Sequence, residues 1–387
     1  MKEHTLRSTS FILLTLMMLT VSCQEKNVNE KQYNNFHPGK EWKDNNGVHI
    51  NAHGGGMLHH EGTYYWFGEH KVEGRKGNKA QVGVHCYSST DLYNWKDEGI
   101  VLKVKQDTNS LLEKGCIVER PKVIYNKKND EFVMWFHHEL KGMGYDAAMT
   151  GLAVAQSVTG PYEYKRSVNP NAWQWPRNFT AEQNKPTQQP DEIEKWSEEW
   201  KQAVGNGMFL KRDFEKGQMA RDMTLFVDDD GTAYHIHSSE ENSTLHISEL
   251  RDDYRNFSGR YIRVRPGHYN EAPSIFKHQG KYYMIASGCT GWDPNAARLL
   301  VADSVMGSWE HLGNPCIGES KEITFDSQST YILPVQGKKD AFIFMADRWE
   351  PENPIEGTYV WLPIQFDKNG TPYLEWMDQW SLKFFMQ

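Results

Sequence analysis

Glu271-Ala272-Pro273-Ser274-Ile275-Phe276-Lys277-His278-Gln279-Gly280-Lys281-Tyr282-Tyr283-Met284-Ile285 opens on a polar residue, runs through an apolar stretch and a Gly-Lys turn, and closes on an aromatic-rich stretch. Two such stretches joined by a short turn make a β-hairpin. The pattern recurs with His53 before Tyr64, Glu119 before Phe132, Asp222 before Tyr234 and Gln328 before Phe342, always 11 to 14 positions apart. A repeated offset means a repeated unit. Beyond the hairpins lie short aromatic segments flanked by turn residues, Leu92-Tyr93-Asn94-Trp95, Gly160-Pro161-Tyr162, Asp253-Tyr254 and Gly307-Ser308-Trp309, which read as outer strands. Five repeats of about four strands each predict an all-β protein, a five-bladed β-propeller, whose inner strands line a central funnel. A sandwich is the alternative, but it would not gather one polar residue per repeat in one place.

Composition agrees. The chain has 387 residues, 13% of them aromatic and 14 of them Trp, a mixture at home in strands. Most of these Trp residues are expected to pack blades. A net charge of -8, with no basic run beyond the first residues, excludes the clustered cations that nucleic acid requires. The expected partner is neutral or uncharged.

The N-terminus carries Lys2 and Arg7, then the apolar stretch Phe11 to Leu19, then Val21-Ser22-Cys23 followed by polar Gln24-Glu25. This is an export signal, too short to span a membrane, and its end is similar to a bacterial lipoprotein signal with Cys23 as the lipidated residue. The expected organisation is a signal over residues 1–23, a polar tether over 24–40 and one propeller domain over 41–387. The protein is accordingly expected in the bacterial cell envelope, at the outer membrane or in the periplasm. It would be a monomer that meets membrane only through its lipid. Cys86, Cys116, Cys289 and Cys316 lack metal-ligand spacing and read as buried thiols or at most one or two disulfides.

An insertion over about residues 168–215 interrupts the repeat. Asp191 with Glu194 resembles a capping box, and Ile193, Trp196, Trp200 and Val204 follow at helical spacing up to Gly205, predicting one amphipathic helix. Its apolar stripe would pack on the outside of the propeller or form a wall over the funnel.

Three funnel residues are carboxylates: Glu119, Asp222 and Glu271. Acid catalysis on a glycosidic bond needs one carboxyl kept protonated near neutrality, and a second, ionised carboxylate nearby raises its pKa. Asp222 and Glu271, on neighbouring blades, suit these roles. The plainer reading pairs Asp222 with Arg221 and makes Glu271 a turn cap. Trp292 and Trp349 are candidates for stacking on a pyranose face, and His53 is a further funnel candidate. His137-His138 and His235-x-His237 lack an evident third ligand, so no metal and no cofactor are expected.

The segments Ala52-His53-Gly54-Gly55-Gly56, Tyr64 to Glu69, Glu119-Arg120-Pro121-Lys122-Val123, Arg221 to Phe226, Glu271-Ala272-Pro273, Gly288 to Asn295 and Asp326 to Thr330 resemble glycoside hydrolase family 43, in particular its exo-β-1,3-galactanase branch. The resemblance implies an inverting hydrolase that releases terminal galactose from an oligo- or polysaccharide substrate, β-1,3-linked galactan, with Glu271 as acid and Asp222 as the residue that tunes it. The family's usual base, an Asp on the first inner strand, is missing from Ala52-His53-Gly54-Gly55, as is typical of this branch. There the resemblance implies that Gln328 orients the attacking water, with its imidic tautomer as the form that takes a proton. It also assigns Glu119, Glu69, Tyr145 and Thr290 to sugar hydroxyls. Glu119 competes with Gln328 for the role of base. Rival readings keep the enzyme class but change the sugar, to an arabinofuranosidase, xylosidase or galactofuranosidase, or make the protein a non-catalytic glycan-binding lipoprotein.

Overall fold

The computed structural model describes residues 1, 33–106 and 109–386. The signal, Cys23 and the first part of the expected tether lie outside them. The rest of that segment is not a tether: Phe36 is buried and bridges Trp380, and Tyr33 donates its N–H to Asn94. The folded unit therefore begins before residue 41.

The first sheet contains β1 (His53–His60), β2 (Thr63–His70), β3 (Gly83–Ser89) and β4 (Lys96–Lys103). The second contains β5 (Ile117–Asn126), β6 (Glu131–Glu139), β7 (Met149–Ala155) and β8 (Glu163–Val168). Helices α1 (Glu198–Gly205) and α2 (Met208–Arg212) precede the third, with β9 (Met223–Val227), β10 (Ala233–Ser239), β11 (Thr244–Leu250) and β12 (Phe257–Val264). The fourth is β13 (Glu271–His278), β14 (Lys281–Ser287), β15 (Arg298–Ala302) and β16 (Glu310–Gly313). After β17 (Cys316–Ile317) comes a sheet of β18 (Gln328–Pro334), β19 (Phe342–Arg348) and β20 (Thr358–Pro363). Last are β21 (Gln365–Phe366) and β22 (Pro372–Glu375), which join β17 in a small sheet of their own.

The five-bladed expectation is thereby corrected: the described residues build six sheets, a six-bladed propeller by sheet count. The sixth has no aromatic hairpin to announce it, because β17 and β21 are two residues long and β17 pairs with β22 in parallel. Around the axis, β1 lies against β5, β5 against β9, β9 against β13, β13 against β18, and β18 against β1.

Packing between blades is aromatic. Trp66 meets Trp361 at 4.8 Å between centroids and Phe36 meets Trp380 at 4.4 Å, so both chain ends of the folded unit feed one core with the first and last hairpins. Burial of rings this large supplies much of the drive to close the ring.

The insertion holds two short helices rather than one. Asp191 and Glu194 do not cap α1; Ser197 does, its hydroxyl oxygen accepting from Trp200 N–H at 3.1 Å. Trp196 has a left-handed backbone (φ 80°), which ends any helix running through it. The apolar face of Trp200, Val204, Met208 and Phe209 packs on Tyr269 and touches Cys289, so the insertion borders the funnel mouth beside β13.

Candidate active site

Three of the five inner strands, β1, β5 and β13, share one local distortion at the polar residue that opens them. Pairing slips between His53 and Gly56, Glu119 and Lys122, and Glu271 and Ser274. The residue after each polar one, Gly54, Arg120 or Ala272, is left-handed, with φ of 60°, 55° and 50°. Such a bulge bends the strand and re-aims its side chains, here toward the axis. In these three repeats the recurring offset in sequence is thus also a recurring backbone geometry.

The result is a cavity of about 310 Å³ lined by Glu69, Glu119, Arg120, Tyr145, Arg221, Asp222, Asn242, Glu271, Cys289, Gly291, Trp292, Gln328 and Trp349. That volume suits one or two sugar rings. Eight residues singled out from sequence meet here, from regions as distant as Glu69 and Trp349. Two do not line it. His53 is fully buried, stacked on Tyr359 with Nδ1 3.5 Å from Asp347, and offers a sugar no contact. Thr290 faces outward, its hydroxyl donating to the Asp293 carbonyl at 2.6 Å and accepting from Asn295.

Arg120 organises the floor. Its Nη2 donates to Asp222 Oδ2 at 2.9 Å and to Gln328 Oε1 at 2.5 Å, and its guanidinium lies 5.2 Å from the Trp349 ring centre. Asp222 therefore pairs with Arg120 and not with its neighbour Arg221, which donates to the Tyr145 carbonyl at 2.8 Å. The same Asp222 oxygen accepts from Ala272 N–H at 3.1 Å, tying it to the strand that opens with Glu271.

Gln328 has a fixed orientation. Its Oε1 also accepts from Trp349 Nε1 at 3.0 Å, and its Nε2 donates to Ser287 at 2.9 Å. Arg and Trp nitrogens only donate, so the atom facing them is the carbonyl oxygen. An imidic form with its proton on that oxygen would oppose both donors. The surroundings favour the amide, whose second N–H has no partner among the described residues.

Glu271 and Glu119 differ sharply. Burial, and after it the charge of Asp222, raises Glu271 from 4.5 to about 7. Burial also pushes Glu119 up, but the hydrogen bond and charge of His137 win and bring it down to about 2. His137 lies between Glu119 at 3.0 Å and Glu139 at 2.9 Å, and these two carboxylates overcome its burial and raise it to about 9. A carboxylate as acidic as Glu119, which also accepts from the Tyr145 hydroxyl at 2.8 Å, is a poor base and a good acceptor for hydroxyls. Glu69 is raised by burial although Lys71 sits 2.5 Å away, and its other oxygen accepts from Arg120 N–H. Glu69 also fills the space beside Gly54: a β-carbon there would stand 2.1 Å from Glu69 Oε1.

Glu119, His137 and Asp222 bring one possible ligand atom each within 4.8 Å of one another. A protonated His137 with both nitrogens given to carboxylates has no lone pair for a cation. Of the other histidines, His138 meets Ser167 and His235 meets Thr150 and His237, all buried. The four described cysteines are free thiols.

Sequence reading missed Arg120, Arg221, Asn242, Cys289 and Gly291. Arg120 and Cys289 stand inside quoted motifs, beside Glu119 and Thr290. Asn242 carries no signal, because it belongs to a turn that only the fold brings to the mouth.

A propeller whose axis holds one carboxyl poised near neutrality beside a second carboxylate has the equipment of a glycosidase. Residues 194–372 match the model of glycosyl hydrolases family 43. Over 90% of this chain and all of the other, the structure is similar to that of a family 43 β-1,3-galactosidase with galactodeoxynojirimycin, at 55% identity and a TM-score of 0.87. It is similar also to an exo-β-1,3-galactanase from Phanerochaete chrysosporium with β-1,3-galactotriose, at 32% identity over 90% of this chain and 68% of that one, TM-score 0.72. A β-D-galactofuranosidase from Aspergillus niger is 30% identical over 30% of this chain, and the match spans 37% of that protein's length. The chain belongs to glycoside hydrolase family 43 and is a glycoside hydrolase.

Proposed function

We propose that the protein is an exo-acting, inverting hydrolase that removes terminal galactose from β-1,3-linked galactan. The observation that carries this reading is Glu271, raised to about 7 at the wall of a sugar-sized cavity with Asp222 nearby. Protonated Glu271 gives its proton to the glycosidic oxygen as the bond breaks. The Asp222 charge keeps that proton available, and Arg120 holds Asp222 in place. Gln328, as an amide, presents an N–H and fixes a water for attack from the opposite face; as the new C–O bond forms and the glycosidic bond breaks, that water's spare proton passes to solvent, from which Glu271 is reprotonated. Glu119 and Glu69 accept from hydroxyls of the terminal sugar, while Trp292 and Trp349, edge to face at 5.8 Å, offer apolar surface to its ring.

The choice of sugar and linkage draws support from the two long structural likenesses, both to proteins named for β-1,3-galactose chemistry. The galactofuranosidase match is too short to compete. A purely binding protein has no use for a carboxyl poised to exchange its proton near neutral pH. The test is galactose release from β-1,3-galactobiose: Glu271→Gln should lose roughly 100- to 10,000-fold in kcat. Activity near wild type would remove Glu271 as the acid.

We further propose that Cys23 carries lipid and that the enzyme works as a monomer in the cell envelope. Mass spectrometry of the N-terminal peptide should find a diacylglyceryl thioether that Cys23→Ala abolishes, and a peptide starting elsewhere would contradict it.

A further inference from the structure

Two side chains outside the resemblance's catalytic set both reach the same oxygen of the acid. Asn242 Nδ2 donates to Glu271 Oε1 at 2.6 Å and Cys289 Sγ donates to it at 3.2 Å. Both line the cavity. A carboxyl oxygen that accepts two donors is the carbonyl oxygen of the protonated group, since a hydroxyl there would meet N–H and S–H head on. The other oxygen, Oε2, is left to carry the proton.

We propose that Asn242 and Cys289 are positioning residues that select which oxygen of Glu271 bears the proton, aiming it at the leaving group, and that the helical insertion exists in part to hold them there. The inference deepens the proposed function and rests on Glu271 being its acid.

The support for Asn242 is unusual. It ends a run of three left-handed residues, Glu240, Glu241 and Asn242, with φ of 52°, 57° and 61°, in the turn between β10 and β11. Consecutive non-glycine residues in this region are strained and persist only when their surroundings hold them. The insertion does so from both sides. Arg263 clasps Glu240 with Nε at 2.7 Å and Nη2 at 2.6 Å, and the same Nη2 donates at 2.7 Å to the Val204 carbonyl in the last turn of α1. From α2, Arg212 reaches Glu241 at 2.9 Å. Cys289 is held by the apolar cluster of α1, α2 and Tyr269. Both donors thus take their positions from the insertion.

The groups that set the charge around Glu271 come from several elements: Asp222 before β9, Arg120 on β5, Arg221, Cys289 and, more distantly, Arg298 on β15. Among them the Cys289 thiol lowers the Glu271 pKa, so its removal moves Glu271 upward.

Asn242→Gly removes the amide while keeping a backbone that favours left-handed φ, and Cys289→Ala removes the thiol. On β-1,3-galactobiose, whose leaving group needs a proton, each should lose on the order of tenfold or more in kcat. On 2,4-dinitrophenyl β-galactoside, which leaves without one, each should stay within about twofold of wild type. Cys289→Ser, which restores a donor, should recover most of the loss. Equal losses on both substrates, or none on either, would overturn the proposal. A substrate-free arm separates it from the assigned function: infrared difference titration of the Glu271 carboxyl, referenced to Glu271→Gln, should shift to higher pH in both variants. If wild type ignores galactobiose but that midpoint moves, the clamp stands and the galactanase reading falls; an unmoved midpoint sinks the clamp.

Discussion

At the scale of the residue, the site works by giving the three carboxylates on its axis three different partners. Glu119 has a protonated histidine, Asp222 has Arg120, and Glu271 has, among the described residues, neutral donors at its oxygens. That last choice costs stability. A carboxyl whose folded pKa is raised binds more protons folded than unfolded between pH 4.5 and about 7, so stability falls as pH rises through that window. Glu271→Gln removes the penalty. Its stability gain over wild type should be larger at pH 8 than at pH 4.5, by at most roughly 3 kcal/mol, in urea unfolding at the two pH values. A pH-independent difference would show that Glu271 is not held protonated. Glu271, Asp222, Glu119 and Gln328 were legible because they share one place in a repeat. Arg120 was not, since an arginine beside a glutamate reads as a local pair until a bulge turns it toward Asp222 and Gln328.

Among elements, the insertion deserves its length because it braces the turn at Asn242. Arg263 is the joint: it is buried between Glu240 and the end of α1. Burial pushes Glu240 up, but the Arg263 charge and the His246 hydrogen bond bring it to about 2, so the brace keeps its charge throughout the neutral range. Arg263→Met should cost about 3–5 kcal/mol, because it leaves a buried carboxylate without its cation. Hydrogen exchange should then speed up in α1 and in residues 240–243. Unchanged exchange in α1 would mean that the helix stands without the joint. The helix itself was visible in the spacing of Trp200 and Val204, whereas its start was misplaced: Trp196 continues the apolar spacing but has left the helical backbone. The small sheet of β17, β21 and β22 escaped for a related reason, since two-residue strands show no alternation to read.

Over the whole molecule, the ring closes where the last hairpin meets the first. Phe36 and Trp380 bridge there and share a core with Trp66 and Trp361. Phe36→Ala opens a cavity in this clasp and should lower stability by about 3–5 kcal/mol, while folded molecules keep their kcat because the site lies at the axis. A loss of kcat without loss of stability would place the clasp in the active site instead. The propeller plan was readable because the inner hairpins repeat, and the clasp was not, because Phe36 sits in a polar, Asn-rich stretch that resembles a tether. The most direct measurement is proton NMR of β-1,3-galactobiose during the first minutes of hydrolysis. With Glu271 donating and a Gln328-held water attacking from the far face, α-galactose should appear first and β-galactose only as mutarotation proceeds. β-Galactose as the first product, or no galactose at all, would contradict the assignment.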